Sequence, residues 1–443
     1  WLPIKPSAPG TSTVFAINSS VSLHSAPKGG KQFCHKAFAR AMGYGCNQYN
    51  IIDVKFQPTA PFPGPQKAPA RLYIPGQILY NNKVNEGESL PDSRMQKGAV
   101  QMSLSSLGYF ALLPVTAVCY YLLPARWQNL VLAAASLVLP WGNLLDGPQR
   151  QVPLAALAAV TLFTYFLALG MPRSRRKKAP VALGVAGCLR LLAVFKYCNA
   201  VLPVLLGPST LVKLAFPLGI SFYSFAAISY LIDVYRGDIA PEKNLLHYFL
   251  FTGFFATITS GPICRGGQLL PQLKTPRKFS APACGQALRL FAAGLFKKVA
   301  VSDVLALYVD QVFAGYQNHG GLSLLAAAVG YSLVLYFDFA GYSEMARASG
   351  LLLGIQLPEN FKTPYFSTNF SGFWSRWHIS LSSWLQDYLF MPLVWGRWTS
   401  HLPIIGKKVE KPPMISSVAM VFFLSGFWHG STLPFVVWGL LQA

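Results

Sequence analysis

VPLAALAAVTLFTYFLALGMPRSRRKKAPVALGVAGCLRLLAVF, residues 152–195, decides the fold. Two apolar runs, 152–171 and 180–206, flank a loop that carries Arg173, Arg175, Arg176, Lys177 and Lys178. A membrane-crossing helix needs about 20 mainly apolar residues. Short loops rich in Lys and Arg stay in the cytoplasm. The stretch therefore reads as two spans joined on the cytoplasmic side, and counting back three spans places the start of the first one outside.

The same pattern recurs through most of the chain. Of 443 residues, 53% are hydrophobic, 14% aromatic and only 12% charged, too few charges to coat a soluble protein of this size. Further candidate spans cover roughly 103–124, 127–144, 212–234, 245–260, 284–309, 321–337, 340–356 and 414–441. The expected fold is all-α: a multi-span transmembrane bundle of about ten or more helices, with tilted or re-entrant members. The net charge of +22 fits loops facing anionic lipid. No array of basic and aromatic residues tracks a nucleic acid, so nucleic acid is not an expected partner. The seven cysteines form no CxxC pair and no Cys/His cluster at zinc spacing, so neither a metal nor a disulfide framework is expected.

Residues 1–101 differ from this pattern. They are rich in Pro, Gly, Ser and Asn, as in APFPGPQKAPARLYIPGQ (60–77). The expectation is a polar, disordered segment translated from upstream sequence, with the functional protein starting at Met95 or Met102. The alternative is a genuine disordered extension. Residues 102–443 read as one transmembrane domain that is truncated within a span at its C-terminal end.

Charges inside the apolar part mark where chemistry is to be sought, because an ionisable group is expensive against lipid. GLFKKVAVSDVLAL (294–307) holds Lys297, Lys298 and Asp303, and YFDFAGYSEMARASGLLLG (336–354) holds Asp338 and Glu344. These carboxylates suggest either a proton path or structural pairing with Lys297, Lys298 or Arg376; pairing is the preferred reading. KTPYFSTNFSGFWSRWHISLSSWLQDY (362–388) holds Arg376, His378 and Asp387. If it is helical from Ser371, then Trp374, His378 and Ser382 share a face, with Trp377 and Ser375 beside them. Arg376 then needs an acceptor, and Asp387 is one candidate. The bland reading is a headgroup anchor, since Trp and Arg favour the interface.

SGFWHGSTLPFVVWG (425–439) holds one ionisable residue, His429, between Gly426 and Gly430. A satisfied core histidine is one reading. A proton-transferring group is the other, since imidazole titrates near neutral pH.

Six stretches together resemble the membrane-bound O-acyltransferase family, in its bacterial branch of alginate O-acetyltransferases and D-alanyl transfer proteins. They are PLGISFYSFAAISYLIDVYRGDIAPEKN (217–244), SGPICRGGQLLPQL (260–273), GLFKKVAVSD (294–303), YFDFAGYSEMA (336–346), LPENFKTPYFSTNFSGFWSRWHISLSSWLQDYLFMPL (357–393) and FLSGFWHGSTLPFVVWG (423–439), in the family's order. The resemblance implies helices around a central tunnel, with His429 in FWHG matching the catalytic histidine and His378 in RWHIS the assisting one. Trp374, Arg376, Trp377, Ser380, Ser382, Asp387, Trp428 and Asp338 are expected as supporting or tunnel-lining residues. His378, the Trp428 Nε1–H and Ser380 are the candidate oxyanion donors. The chain departs from the family's usual pattern at Glu344, often Asp; at Ala256 and Thr257, often Pro and Gln; and at Gln386, often Arg.

What the resemblance implies is acyl transfer in the bacterial inner (cytoplasmic) membrane, with no bound cofactor. A thioester donor, acetyl-CoA or an acyl carrier, would enter from the cytoplasm. The acyl group, acetyl first, would pass to an extracellular polysaccharide such as alginate, directly or through a periplasmic acetyltransferase partner. D-alanyl transfer toward teichoic acid is the alternative within the family. From another class, a proton-coupled transporter or membrane scaffold would use Asp338, Glu344 and the histidines as a relay, though no internal repeat supports it.

Overall fold

The computed structural model describes residues 103–142, 151–207, 217–395, 414–430 and 432–442, all within a compact unit spanning Ile74–Ala443. The segment 1–101, expected to be polar and disordered, lies outside the described residues. Every regular element among the described residues is helical.

In chain order the helices are α1 (Leu107–Leu122), α2 (Gln128–Gly142), α3 (Val152–Gly170), α4 (Lys178–Leu206), α5 (Ile220–Arg236), α6 (Leu245–Gly253), α7 (Gly266–Lys274) and α8 (Ala281–Leu295). They continue with α9 (Asp303–Ala314), α10 (Gly321–Leu352), α11 (Phe370–Trp374), α12 (Ile379–Leu385), α13 (Met391–Trp395), α14 (Met414–His429) and α15 (Leu433–Gln442). Among the described residues, three helical stretches are long and apolar enough to cross a membrane: Val152–Arg173, Lys178–Cys198 and Gly321–Leu352. Leu107–Leu122, Ser416–His429 and Leu433–Gln442 are shorter apolar helices. Their lipid-type faces are bare, with Leu107, Phe166, Leu322 and Leu441 exposed.

α5 is the axis of the fold. It packs against α3, α4, α6 and α7, and residues on every side of it are buried, from Ile220 to Val234, as expected for a helix apolar all round. Its neighbours are tied by hydroxyls: Thr161 to Thr252 at 2.9 Å, Thr164 to Tyr248 at 2.7 Å, and the Glu242 amide to the Tyr230 hydroxyl at 2.6 Å. Such bonds satisfy polar groups that lipid would leave bare. In the α5–α6 connection, buried Glu242 accepts from Lys274 Nζ at 2.6 Å and from the Asn244 amide at 3.0 Å.

Several sequence-based spans are redrawn. The stretches 321–337 and 340–356 are parts of one 32-residue helix, α10. Asp338 interrupts the hydropathy but not the helix, because Lys298 Nζ lies 2.6 Å from its carboxylate. The candidate span 414–441 is a helical hairpin, α14 turning into α15 after His429. In place of a span over 245–260, α6 ends at Gly253 and turns follow.

α8 runs into a π-helical stretch, Phe296–Ser302, and on into α9, all lying along α10. The crossing is close: a Cβ on Gly294 would stand 2.7 Å from the Gly341 carbonyl oxygen, and one on Gly341 2.6 Å from that of Gly294. Just beyond it Lys297 pairs with Glu344, while Lys298 bridges Asp303 and Asp338. Consecutive residues of a regular α-helix point some 100° apart. Here both lysines reach α10, from within the π stretch.

Candidate active site

The segment carrying His378 is not one helix. α11 ends at Trp374, and His378 itself is left-handed, with φ 43° and ψ 53°, before α12 begins. The continuous helix from Ser371 is thus overturned, and with it the shared face of Trp374, His378 and Ser382. The cause is tertiary. The Ile379 amide donates to the Asn360 carbonyl at 2.9 Å and the Lys362 amide to the Arg376 carbonyl at 3.0 Å. The Ser380 amide donates to the Asn360 side chain at 3.2 Å. These bonds fold residues 360–362 onto 376–380 and override local helix propensity. A left-handed conformation costs a non-glycine residue roughly 1–2 kcal/mol, and it aims His378 into the bundle.

There its ring meets Phe339 edge-on at 4.6 Å, with Phe361 6.5 Å away. Trp377 extends this wall, 5.2 Å from Phe361. His378 is buried, and its Nδ1 has no hydrogen-bond partner.

His429 closes α14, where basic side chains suit the helix dipole, and its side chain is exposed. Aromatic rings surround it: Trp428 at 4.6 Å, Trp438 edge-on at 5.3 Å and Phe435 stacked at 6.4 Å. Trp438 leads at 6.4 Å to Trp374, so that predicted residue joins the site through its neighbour. The α14–α15 hairpin is closed by small residues. A Cβ on Gly426 would lie 2.5 Å from the Phe435 carbonyl oxygen and 2.8 Å from the Gly439 Cα.

Among the predicted supporting residues, Trp428 stands out: its Nε1 is buried and without a partner. An N–H in that state is free to receive a developing negative charge. The Ser380 hydroxyl instead accepts the Ile263 amide at 3.0 Å, and the Ser382 hydroxyl donates to the Trp377 carbonyl at 3.0 Å. Ser380, as an acceptor, keeps its own O–H available to donate, whereas that of Ser382 is committed to backbone. Asp387 pairs with Arg265 at 3.0 Å rather than with Arg376. Among the described residues Arg376 has no ion pair, and Asp338 is held by Lys298. No group of three or more His, Cys, Asp or Glu side chains among the described residues gathers as a metal site.

Besides Phe339, Phe361 and Phe435, which pack on the two rings, sequence reading missed four residues further out. Phe225 of α5 stacks on Trp384 at 4.4 Å and lies 5.3 Å from Trp428. The Trp384 indole donates to the Phe225 carbonyl at 2.9 Å. From α4, Lys196 Nζ sits 5.0 Å from the Trp428 ring centroid, while Tyr197 stacks on Phe427 at 4.6 Å and donates to its carbonyl. Only Lys196 had a signal in the sequence, a charge within an apolar run, and nothing there tied it to residue 428.

Comparison with known proteins places this geometry. Residues 188–443 match the model of MBOAT, the membrane-bound O-acyltransferase family. A probable alginate O-acetylase of Pseudomonas putida is 36% identical over 348 residues, covering 76% of this chain and 68% of that protein. A peptidoglycan O-acetyltransferase of Helicobacter pylori is 32% identical over 376 residues, covering 75% of this chain and 67% of that protein. A teichoic acid D-alanyltransferase of Bacillus subtilis is 30% identical over 230 residues, covering 51% and 57%. Across the alginate O-acetylases the match spans 63–68% of their length.

Proposed function

This chain belongs to the membrane-bound O-acyltransferase family and is by that membership an acyltransferase; we propose that it moves acetyl from a cytoplasmic thioester to hydroxyls of an extracellular polysaccharide, with His429 as general base. The observation that carries this reading is the two imidazoles, one accessible at the end of α14 and one buried with a free nitrogen among the described residues, each set against aromatic rings.

The chemistry balances on those groups. The acceptor hydroxyl oxygen attacks the thioester carbonyl carbon as its proton passes to His429. The carbonyl oxygen becomes an oxyanion, for which the unpartnered Trp428 Nε1–H is the candidate donor. Collapse breaks the C–S bond, and the imidazolium returns the proton to the sulfur. His378, behind Phe339 and Phe361, serves as the second polar group of the site.

The depth of the site supports transfer across the bilayer. Tyr235 lines a hollow with Arg175, Arg176, Lys177 and Lys178, so this end of α5 lies with the cytoplasmic loop. Phe225, against Trp428, is ten residues back along α5, about 15 Å at a helical rise of 1.5 Å per residue. A donor entering from the cytoplasm therefore needs a long, thin arm. An acyl thioester of coenzyme A or of a carrier protein has that shape.

The acceptor is proposed to be an alginate-like polymer in the inner membrane's outer space, reached directly or through a periplasmic partner. D-alanyl transfer is the second reading, favoured by fewer residues: its relative matches 51% of this chain against 76% for the alginate O-acetylase. A proton-relay transporter loses support, since Asp338 and Glu344 are both paired with lysines. The test is polymer acetylation in cells carrying the full-length gene, wild type against His429→Ala. Retained acetylation by well-expressed variant protein would falsify the assignment of His429.

A further inference from the structure

Three lysines lie within the apolar helices around the site. Lys297 and Lys298 are both paired with carboxylates on α9 or α10. For Lys196, halfway buried on α4, no ion pair exists among the described residues; its ammonium is instead held over the ring of Trp428. A lysine within an apolar span ordinarily extends toward the headgroups. This one turns to an indole whose next neighbour in sequence is His429, and the two ring distances together keep the ammonium within about 10 Å of the imidazole. Beside it Tyr197 fixes Phe427 by stacking and by a hydrogen bond to its carbonyl.

We propose that Lys196 is a positioning residue for acyl transfer: its ammonium holds Trp428, and thereby the end of α14, where the oxyanion forms. This rests on the acyl-transfer reading of His429. Lys196 exchanges no proton in the cycle. The oxyanion and the imidazolium form together, so the reacting centre gains no net charge, and the ammonium acts through the placement of the Trp428 N–H that receives the oxyanion. Loss of its contact to the indole corresponds to a rate effect of about 2- to 30-fold.

The test uses the full-length protein in vesicles supplied with acetyl-CoA and alginate oligomers. Lys196→Met is expected to lower kcat about 2- to 30-fold with KM for acetyl-CoA within about twofold. Lys196→Arg, which keeps charge and ring contact, is expected to recover most of the rate. Lys196→Gln serves if the Met variant does not fold. In parallel, the protein is labelled with 5-fluorotryptophan, and the Trp428 resonance is assigned by its loss in Trp428→Phe. That resonance should move in Lys196→Met and return in Lys196→Arg. An active wild type with unaffected Lys196→Met turnover overturns this inference alone, as does an unmoved Trp428 resonance. Equal loss in the Met and Arg variants also overturns it, since packing alone then matters. If wild type and His429→Ala are both inactive, the acyl-transfer reading falls and takes this one with it.

Discussion

The α14–α15 hairpin offers the sharpest perturbation, Gly426→Ala. A Cβ at 426 would stand 2.5 Å from the Phe435 carbonyl oxygen, 2.8 Å from the Gly439 Cα and 3.0 Å from the Gly439 nitrogen. Non-bonded carbon contacts settle near 3.5 Å or beyond, so about 1 Å must be found between the helices. All three atoms are backbone, which leaves only displacement of α15 as a whole. That helix carries Phe435 and Trp438, two of the rings packed on His429. Overpacking of this kind costs about 1–3 kcal/mol of stability, but the larger consequence is geometric: a misplacement near 1 Å can cost roughly a hundredfold in rate. The assay is acetyl transfer by equal amounts of folded protein in vesicles, alongside thermal unfolding in detergent. Gly285→Ala is the control, with nothing within 4 Å of its added Cβ. It should leave the rate alone and stabilise α8 by about 0.5–1 kcal/mol. Gly439→Ala, whose Cβ would meet the Phe422 carbonyl oxygen at 2.8 Å, should copy Gly426→Ala. A Gly426→Ala protein with wild-type stability and wild-type turnover would refute the close backbone approach.

Other expectations follow from single groups. His378→Gly relieves a left-handed backbone worth about 1–2 kcal/mol but empties the buried ring's place against Phe339, at about 2–5 kcal/mol, so detergent unfolding should show a net loss of stability beside the loss of acetyl transfer; a stabilised variant would count against the packing of that ring. Lys298→Met strands Asp303 and Asp338 and should cost about 2–4 kcal/mol in detergent unfolding, less than a fully buried pair because Asp338 remains a third exposed. Burial alone would raise the Glu242 carboxyl, but Lys274 and the Asn244 amide outweigh it and hold the carboxyl below its ordinary range. A depressed carboxylate stabilises the fold above its unfolded value of about 4.3 and loses that contribution as pH falls through its folded value. Wild type should therefore lose thermal stability below about pH 4 more steeply than Glu242→Gln, and equal slopes would remove Glu242 from that role.

Both histidines could be read from the sequence because charge inside an apolar run is visible without a structure. The hairpin at Gly430 could not. Its turn between α14 and α15 holds no charge and few residues, so hydropathy runs straight through it. Asp338 misled in the opposite direction, suggesting a break in α10 that Lys298 makes unnecessary. The left-handed turn at His378 depends on Asn360, and no local pattern announces a distant backbone clasp. Ser382 was expected along the tunnel, yet its hydroxyl donates to the Trp377 carbonyl, while that of Ser380 accepts from the Ile263 amide. A hydroxyl's role depends on which partner reaches it first, and sequence does not contain that distance.

Pairing, rather than the mere presence of charge, separates scaffold from chemistry in this membrane domain. Lys297 with Glu344, and Lys298 with Asp303 and Asp338, form two neighbouring sets of ion pairs across a close helix crossing. Their mutual compensation explains why they are tolerated there. His378 Nδ1 and Trp428 Nε1 are buried without partners, and Lys196 has only an aromatic face. Unsatisfied groups in a low-dielectric interior cost stability, so a fold retains them where something else completes their bonding. An acyl donor passing between them, with its carbonyl and sulfur, supplies such partners for the duration of the reaction. The cost in the resting protein then becomes selective binding of the reacting state, which is the condition for catalysis.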